Sequence, residues 1–146
     1  MRYFKQKTIW TCGPAALRMV LYELGIKKSE EQLIRMLDCT KRWGTKHKAF
    51  PRVAESYKLN YIIKRDADID DLRNYKKRGY IIIVCYFHVR EHVGHYAILH
   101  KIDGDDFYFV DPQFGPERRL NVAHFGRVWR CPSERGWFIG IKKPAL

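Results

Sequence analysis

Three residues in the sequence have the types and settings that thiol-based acyl transfer requires. Cys12 opens the run Cys12-Gly-Pro-Ala-Ala-Leu17, which reads as the start of a helix. A thiol at a helix N-terminus faces unpaired backbone N–H groups and the positive end of the macrodipole, which favour its anionic, nucleophilic form. His95, in Gly94-His95-Tyr-Ala-Ile-Leu99, begins an apolar strand run. An imidazole there can act as general base and then as general acid. Asp111, in Tyr108-Phe-Val-Asp111-Pro112, closes the next strand run. Its carboxylate can accept the other ring N–H and set the tautomer. Gln6, shortly before Cys12, is the fourth candidate, because its amide NH2 and the Cys12 backbone N–H would together stabilise an oxyanion.

Each residue also has a plainer role. Cys12 suits a small buried apolar position, Asp111 a turn before proline, and Gln6 an exposed surface. The turn Asp103-Gly-Asp-Asp106 between the two strands supplies a test. A two-residue loop pairs Asp111 with Ile98 and sends His95 and Asp111 to opposite faces of the sheet. An odd loop or a bulge pairs Asp111 with Ala97, which sets the two side chains diagonally adjacent on one face. A triad therefore demands an irregularity in this hairpin. Three further residues are candidate substrate contacts. Gly13 removes bulk beside the sulfur, Gly94 leaves the edge beside His95 open, and Trp10 lies just ahead of Cys12. For Trp10, as for Trp43, Trp129 and Trp137, core packing is the default role.

The elements that must position these residues fall into two halves. Leu17, Val20, Leu21 and Leu24 recur at helical spacing, thickened by Ala15, Ala16 and Met19, with Pro14 in the first turn and Gly25 as the stop. That predicts a buried helix over 12–24. Ser29-Glu-Glu-Gln32 has the form of a capping box and opens a second helix to about residue 37. A third is expected over 50–57 and a fourth over 68–77, acidic in its first turn and basic in its last. The run from Tyr80 to Phe87 is β-branched and aromatic throughout, as a strand buried on both faces should be. Further strands are expected over 94–102, 107–111 and 136–141. Helices first and an antiparallel sheet afterwards predict α+β architecture, and with no repeat or linker the expectation is one domain over 1–146.

Composition bounds the function. The chain has 146 residues, 46% of them hydrophobic, enough for a packed core. No apolar run approaches the ~20 residues that cross a bilayer, and no secretory signal opens the chain. Cys12, Cys39, Cys85 and Cys131 are widely spaced, without a C-x-x-C pair. This suggests neither a disulfide framework nor a zinc ribbon, and makes a reducing cytoplasm the expected location. Twenty-eight Lys and Arg against sixteen Asp and Glu give a net charge of +12, which favours anionic partners such as an acidic peptide. The cations are scattered and match no nucleic-acid motif, so no specific nucleic acid and no membrane is expected. His88-Val-Arg-Glu-His92 spells the H-x-x-E-H pattern of inverted zinc peptidases. That chemistry needs a helix, and the segment lies between strand signals, so no metal and no cofactor is expected.

In this order the pieces resemble the papain-like cysteine peptidases of peptidase family C39, especially its stand-alone branch. The family pattern is a Gln, then Cys-Gly-Pro-Ala opening a helix, then Gly-His on a strand, then Asp-Pro on the next. Here these are Gln6, Cys12-Gly-Pro-Ala15, Gly94-His95 and Asp111-Pro112, and Gly44-Thr45 resembles the family's glycine-threonine loop. The resemblance spans roughly residues 3 to 115. It implies a papain-like fold, with Cys12 as nucleophile, His95 as base, Asp111 as the orienting group and Gln6 as oxyanion donor. The substrate it implies is a peptide or protein, and the best-known members remove double-glycine leaders. Two other readings remain open at this point. One is acyl transfer or transpeptidation through the same thioester, and the other is a catalytically silent module binding peptide or nucleic acid.

Overall fold

The computed structural model describes residues 1–131 and 134–145. The long apolar run at the start forms α1 (Cys12–Glu23), almost wholly buried up to Leu21. Next come α2 (Glu30–Met36), with the Ser29–Gln32 capping box formed as expected, and α3 (Ala49–Ser56). β1 (Asn60–Lys64) precedes α4 (Ile69–Lys77), where Asp68 and Asp71 make a second reciprocal cap. The remaining elements are β2 (Ile81–His88), β3 (Val93–Asp103), β4 (Asp106–Asp111), β5 (Gly115–Asn121), α5 (Val122–Val128), β6 (Arg130–Cys131), β7 (Glu134–Arg135) and β8 (Phe138–Lys142).

Six strands form one antiparallel sheet in the order β1-β8-β2-β3-β4-β5, and β6 pairs only with β7 in a short ribbon. β2 lies inside the sheet, as its unbroken apolar run requires. Helices α1, α2 and α3 bury Leu17, Leu21, Leu33, Phe50 and Val53 against Ile83, Ile98, Val110 and Ile139 on one face. Leu72 of α4 and Phe125 of α5 cover the other face with Val84, Leu99, Phe107, Phe109 and Phe138. The architecture is the expected α+β, papain-like arrangement of N-terminal helices on an antiparallel sheet, with a second helical layer behind.

One sequence expectation changes. The cysteine spacing suggested no disulfide, yet Cys85 and Cys131 are bonded, with Cα atoms 5.8 Å apart. Their 46-residue separation hides the pairing, which arises only when the β6–β7 ribbon folds back over β2 and β3. The H-x-x-E-H segment is the turn between β2 and β3, with His92 at φ 52° and Glu91 N donating to His88 Nδ1. Its histidines share no helical face. Among the described residues no helix is long and apolar enough to cross a membrane.

Candidate active site

The hairpin turn is the two-residue loop, since Asp103 pairs with Asp106. Taken alone it would separate His95 from Asp111. The ladder then slips by one between Leu99 and Lys101, leaving His100 as an extra residue, and Ile98 pairs with Val110. From that bulge onward Asp111 falls opposite Ala97, on the face that carries His95. The two side chains meet: His95 Nε2 lies 2.6 Å from Asp111 Oδ1, both fully buried.

Asp111 is held by more than His95. Its Oδ1 also accepts from the backbone N–H groups of Gln113 at 2.9 Å and Phe114 at 3.1 Å. Oδ2 accepts from the Tyr86 hydroxyl at 2.6 Å. Burial pushes the Asp111 carboxyl up, but the bond and charge of His95, with the other donors, bring it below its ordinary value. The Tyr86 phenol goes the other way, raised by burial and by the carboxylate it faces. Sequence reasoning missed Tyr86 inside its apolar run. Only the β2–β3 register, which sets Tyr86 opposite His95, brings it to the site. Tyr86→Phe should lower kcat by about tenfold and stability by about 1–2 kcal/mol, because one donor to a buried charge is lost. Steady-state kinetics and urea unfolding check both figures.

Cys12 sits 9% exposed at the first residue of α1, whose N-terminus no side chain caps. Pro14 contributes no N–H, so the Cys12 and Gly13 N–H groups remain as donors at that end. With His95 Nε2 given to Asp111, Nδ1 is the ring nitrogen left to exchange a proton with Cys12. Burial opposes the charged imidazole, but the hydrogen bonds to Asp111 and Cys12 and their negative charges raise His95 to about 9. The arrangement can stabilise a thiolate beside an imidazolium, and then return that proton to a leaving group.

Gln6 is buried rather than exposed, at 8%. The segment before α1 crosses the end of β4, where Gln6 N donates to Pro112 O at 2.9 Å and the Tyr3 hydroxyl to Asp111 O at 2.6 Å. Lys7 N reaches the carboxylate of the buried Glu30. One N–H of the Gln6 amide donates to Thr8 O at 2.8 Å, and the second has no protein acceptor among the described residues. The amide is therefore anchored and still has a donor to give.

Of the remaining candidates, Trp10 and Gly94 line an open cleft over Cys12, together with Trp43, Thr45, His47 and Tyr96, whereas Gly13 does not. Both glycines are explained differently from the expectation. A Cβ on Gly13 would lie 2.4 Å from Thr45 Oγ1, so Gly13 admits the 44–45 loop against the helix start. A Cβ on Gly94 would lie 1.7 Å from Cys131 Sγ, so the space beside His95 is filled by sulfur and not open. Trp43 is 67% exposed at the rim, held by a turn in which Thr40 and Gly44 pair and Arg42 stacks on the indole.

The Peptidase C39 family model matches residues 1–131. No curated protein matches the chain. Among solved structures, the peptidase domain of Streptococcus ComA, a bi-functional ABC transporter of a quorum-sensing pathway, is similar at 21% identity and TM-score 0.81, covering 97% of each chain. A double-glycine-motif protease from an AMS/PCAT transporter, solved in complex with a leader peptide, is 20% identical with TM-score 0.78. That match covers 98% of this chain and 91% of the other. A C39-like peptidase from Bacillus anthracis is 12% identical with TM-score 0.77, covering 99% and 96%.

Proposed function

Since the chain belongs to the peptidase C39 family, and so to the cysteine peptidases, we propose that Cys12, His95, Asp111 and Gln6 are its catalytic machinery and that it hydrolyses a peptide bond. The observation that carries this reading is the buried His95–Asp111 pair at 2.6 Å, which commits Nε2 of the ring to the carboxylate and leaves Nδ1 to serve Cys12. The Cys12 thiolate attacks the scissile carbonyl and His95 protonates the leaving amine. A water activated by His95 then releases the acid from the thioester. The oxyanion is met by the Cys12 N–H and the free N–H of Gln6. Gln6→Ala should lower kcat by about 10²–10³-fold while Cys12 alkylates as fast as in the wild type, a contrast that separates oxyanion stabilisation from thiol activation.

The cleft suggests the kind of peptide. Lys41, Arg42, Lys46, Lys48 and Arg65 line it against only Glu91 and Glu134, and the exposed Ile9, Trp43 and Val93 offer apolar contacts. Of these cations only Arg65 has an ion-pair partner among the described residues. A peptide with acidic and large apolar side chains is the complement, and the AMS/PCAT protease, solved with a leader peptide bound, supports a peptide as the occupant. Profiling a peptide library against wild type and Cys12→Ala tests the proposal. Cleavage by the wild type alone supports hydrolysis, and no cleavage by either overturns it.

The pH profile follows from His95. The working form carries a proton on the imidazole, and the folded protein holds that proton up to about pH 9. kcat/KM should therefore stay level through pH 8 and fall above about 9, rather than near the 6.5 of a free histidine. A stopped assay across pH 6 to 10.5 reads this limb.

A further inference from the structure

We propose that Cys85 and Cys131 are a reversible redox site in the wall of the substrate cleft, and that their disulfide holds that wall in its peptide-binding shape. The proposal concerns regulation of the peptidase site above and rests on that reading.

The bridge joins the centre of the molecule to a short edge ribbon, whose second strand is otherwise tied to the 66–67 segment by Asp66 N–H to Arg135 O at 2.8 Å and Ala67 N–H to Gly136 O at 3.2 Å. Cys85 lies mid-way along β2 and is 1% exposed, while Cys131 ends β6 and is only half-buried, lining the cleft together with Cys12. The β6–β7 ladder is two residues long, too short to hold a fixed position by its own pairing. The same ribbon carries Glu134, whose carboxylate pairs with Arg65 at 2.5 Å and stands 3.7 Å from His47 Nε2. All three residues line the cleft. On its inner side the Cys131 sulfur packs against Gly94, the residue before His95. The covalent link therefore positions both the ribbon wall and the backbone next to the base.

The local chemistry suits exchange. Cys131 is the accessible sulfur, so an incoming thiolate attacks there and Cys85 leaves as a thiolate. A ring nitrogen of His47 lies within 4.8 Å of both sulfurs. Its Nδ1 is engaged by the Tyr96 hydroxyl at 2.7 Å, and burial lowers the ring's pKa against the opposing charge of Glu134, so the imidazole is placed to pass a proton to or from a thiol. With a low-molecular-weight thiol as reductant the step balances. The first thiolate breaks the Cys85–Cys131 bond and forms a mixed disulfide on Cys131, and Cys85 takes a proton. A second thiolate releases the small disulfide, and Cys131 takes a proton. Two electrons pass from the thiols to the bridge.

The test poises the full chain in mixtures of oxidised and reduced dithiothreitol, then alkylates it under denaturing conditions and maps the label by mass. Cys12 and Cys39, the free thiols, should label throughout, and Cys85 and Cys131 should become labelled together in one two-electron step. Across that step KM for a cleaved peptide should rise about tenfold with kcat within about twofold, and C85S/C131S should show the higher KM at every poise. Hydrogen exchange over residues 130–131 and 134–136 should quicken on reduction, also in Cys12→Ala, which reads the device without any peptidase activity. The proposal fails if Cys85 and Cys131 label at the oxidising limit. It also fails if neither KM nor exchange in the ribbon moves as they are reduced. A chain that cleaves nothing but shows the coupled exchange change would instead overturn the peptidase reading.

Discussion

Cys12→Ala should abolish peptide cleavage, and His95→Gln should lower kcat by about 10⁴-fold while KM changes little. Alanine leaves no atom to form the thioester, and the smaller side chain leaves the end of α1 packed as before. Glutamine at 95 keeps an amide that can donate to Asp111, so the buried carboxylate retains a partner while the titratable nitrogen facing Cys12 is gone. Triad members act as a unit, so the combined variant should be no slower than Cys12→Ala alone. The thiol itself gives a second readout. In the wild type Cys12 should react with iodoacetamide far faster than Cys39, which is buried with its sulfur 3.5 Å from Trp10 O. In His95→Gln that advantage should disappear. Equal rates for Cys12 in wild type and variant would remove the case for activation by His95.

What the sequence disclosed of this site was residue types and their elements, because those depend on local signals. The thiol at a helix start, the imidazole at a strand start and the carboxylate before proline are each readable from a few neighbours, as are both helix caps. The His95–Asp111 contact is different. It depends on whether the ladder between β3 and β4 slips by one, and the turn Asp103-Gly-Asp-Asp106 points to the tight loop that would forbid the contact. The slip occurs at His100, a position with no glycine or other local mark of a bulge. Tertiary packing selects it, since without it Val110 would leave the face that α1 covers.

The two missed strands of the main sheet share one cause. β5 (Gly115–Asn121) contains Pro116, Glu117, Arg118 and Arg119, and as an edge strand it needs neither apolar alternation nor an N–H at every residue. β1 is the opposite edge and mostly half-exposed, with a similarly weak pattern. The Cys85–Cys131 bridge and the Tyr86–Asp111 hydrogen bond join residues far apart in the chain, and no local pattern announces either.

Asp111→Asn carries the second large effect, and its two consequences can be separated. The carboxylate accepts four hydrogen bonds, from His95, Tyr86 and two backbone N–H groups. Asparagine keeps one acceptor oxygen and replaces the other with NH2, which meets either the Tyr86 hydroxyl or the Nε2–H of His95 donor to donor. If the imidazole responds by moving its proton to Nδ1, it can no longer accept the Cys12 proton. kcat should then fall by about 10⁴-fold, as expected for a triad carboxylate that sets the tautomer. Stability should fall by about 2–4 kcal/mol, because a buried donor is left without its charged acceptor. The acid dependence identifies the source. In the wild type the Asp111 carboxyl is held below the 3.8 of a free aspartate, so its contribution is present above that value and lost as pH falls through the lower folded value. Asparagine removes this group from the titration and lowers the hold on the His95 proton, so the difference in unfolding free energy between the two proteins should be greatest near pH 5 to 6, shrink below pH 4 as Asp111 protonates, and also decline from about 6.5 toward 9 as the raised His95 loses its advantage. Urea melts at pH 7 and pH 3 measure it. A difference that stays the same at both values would mean that the carboxylate's charge does not stabilise the fold, and that its role is confined to orienting His95.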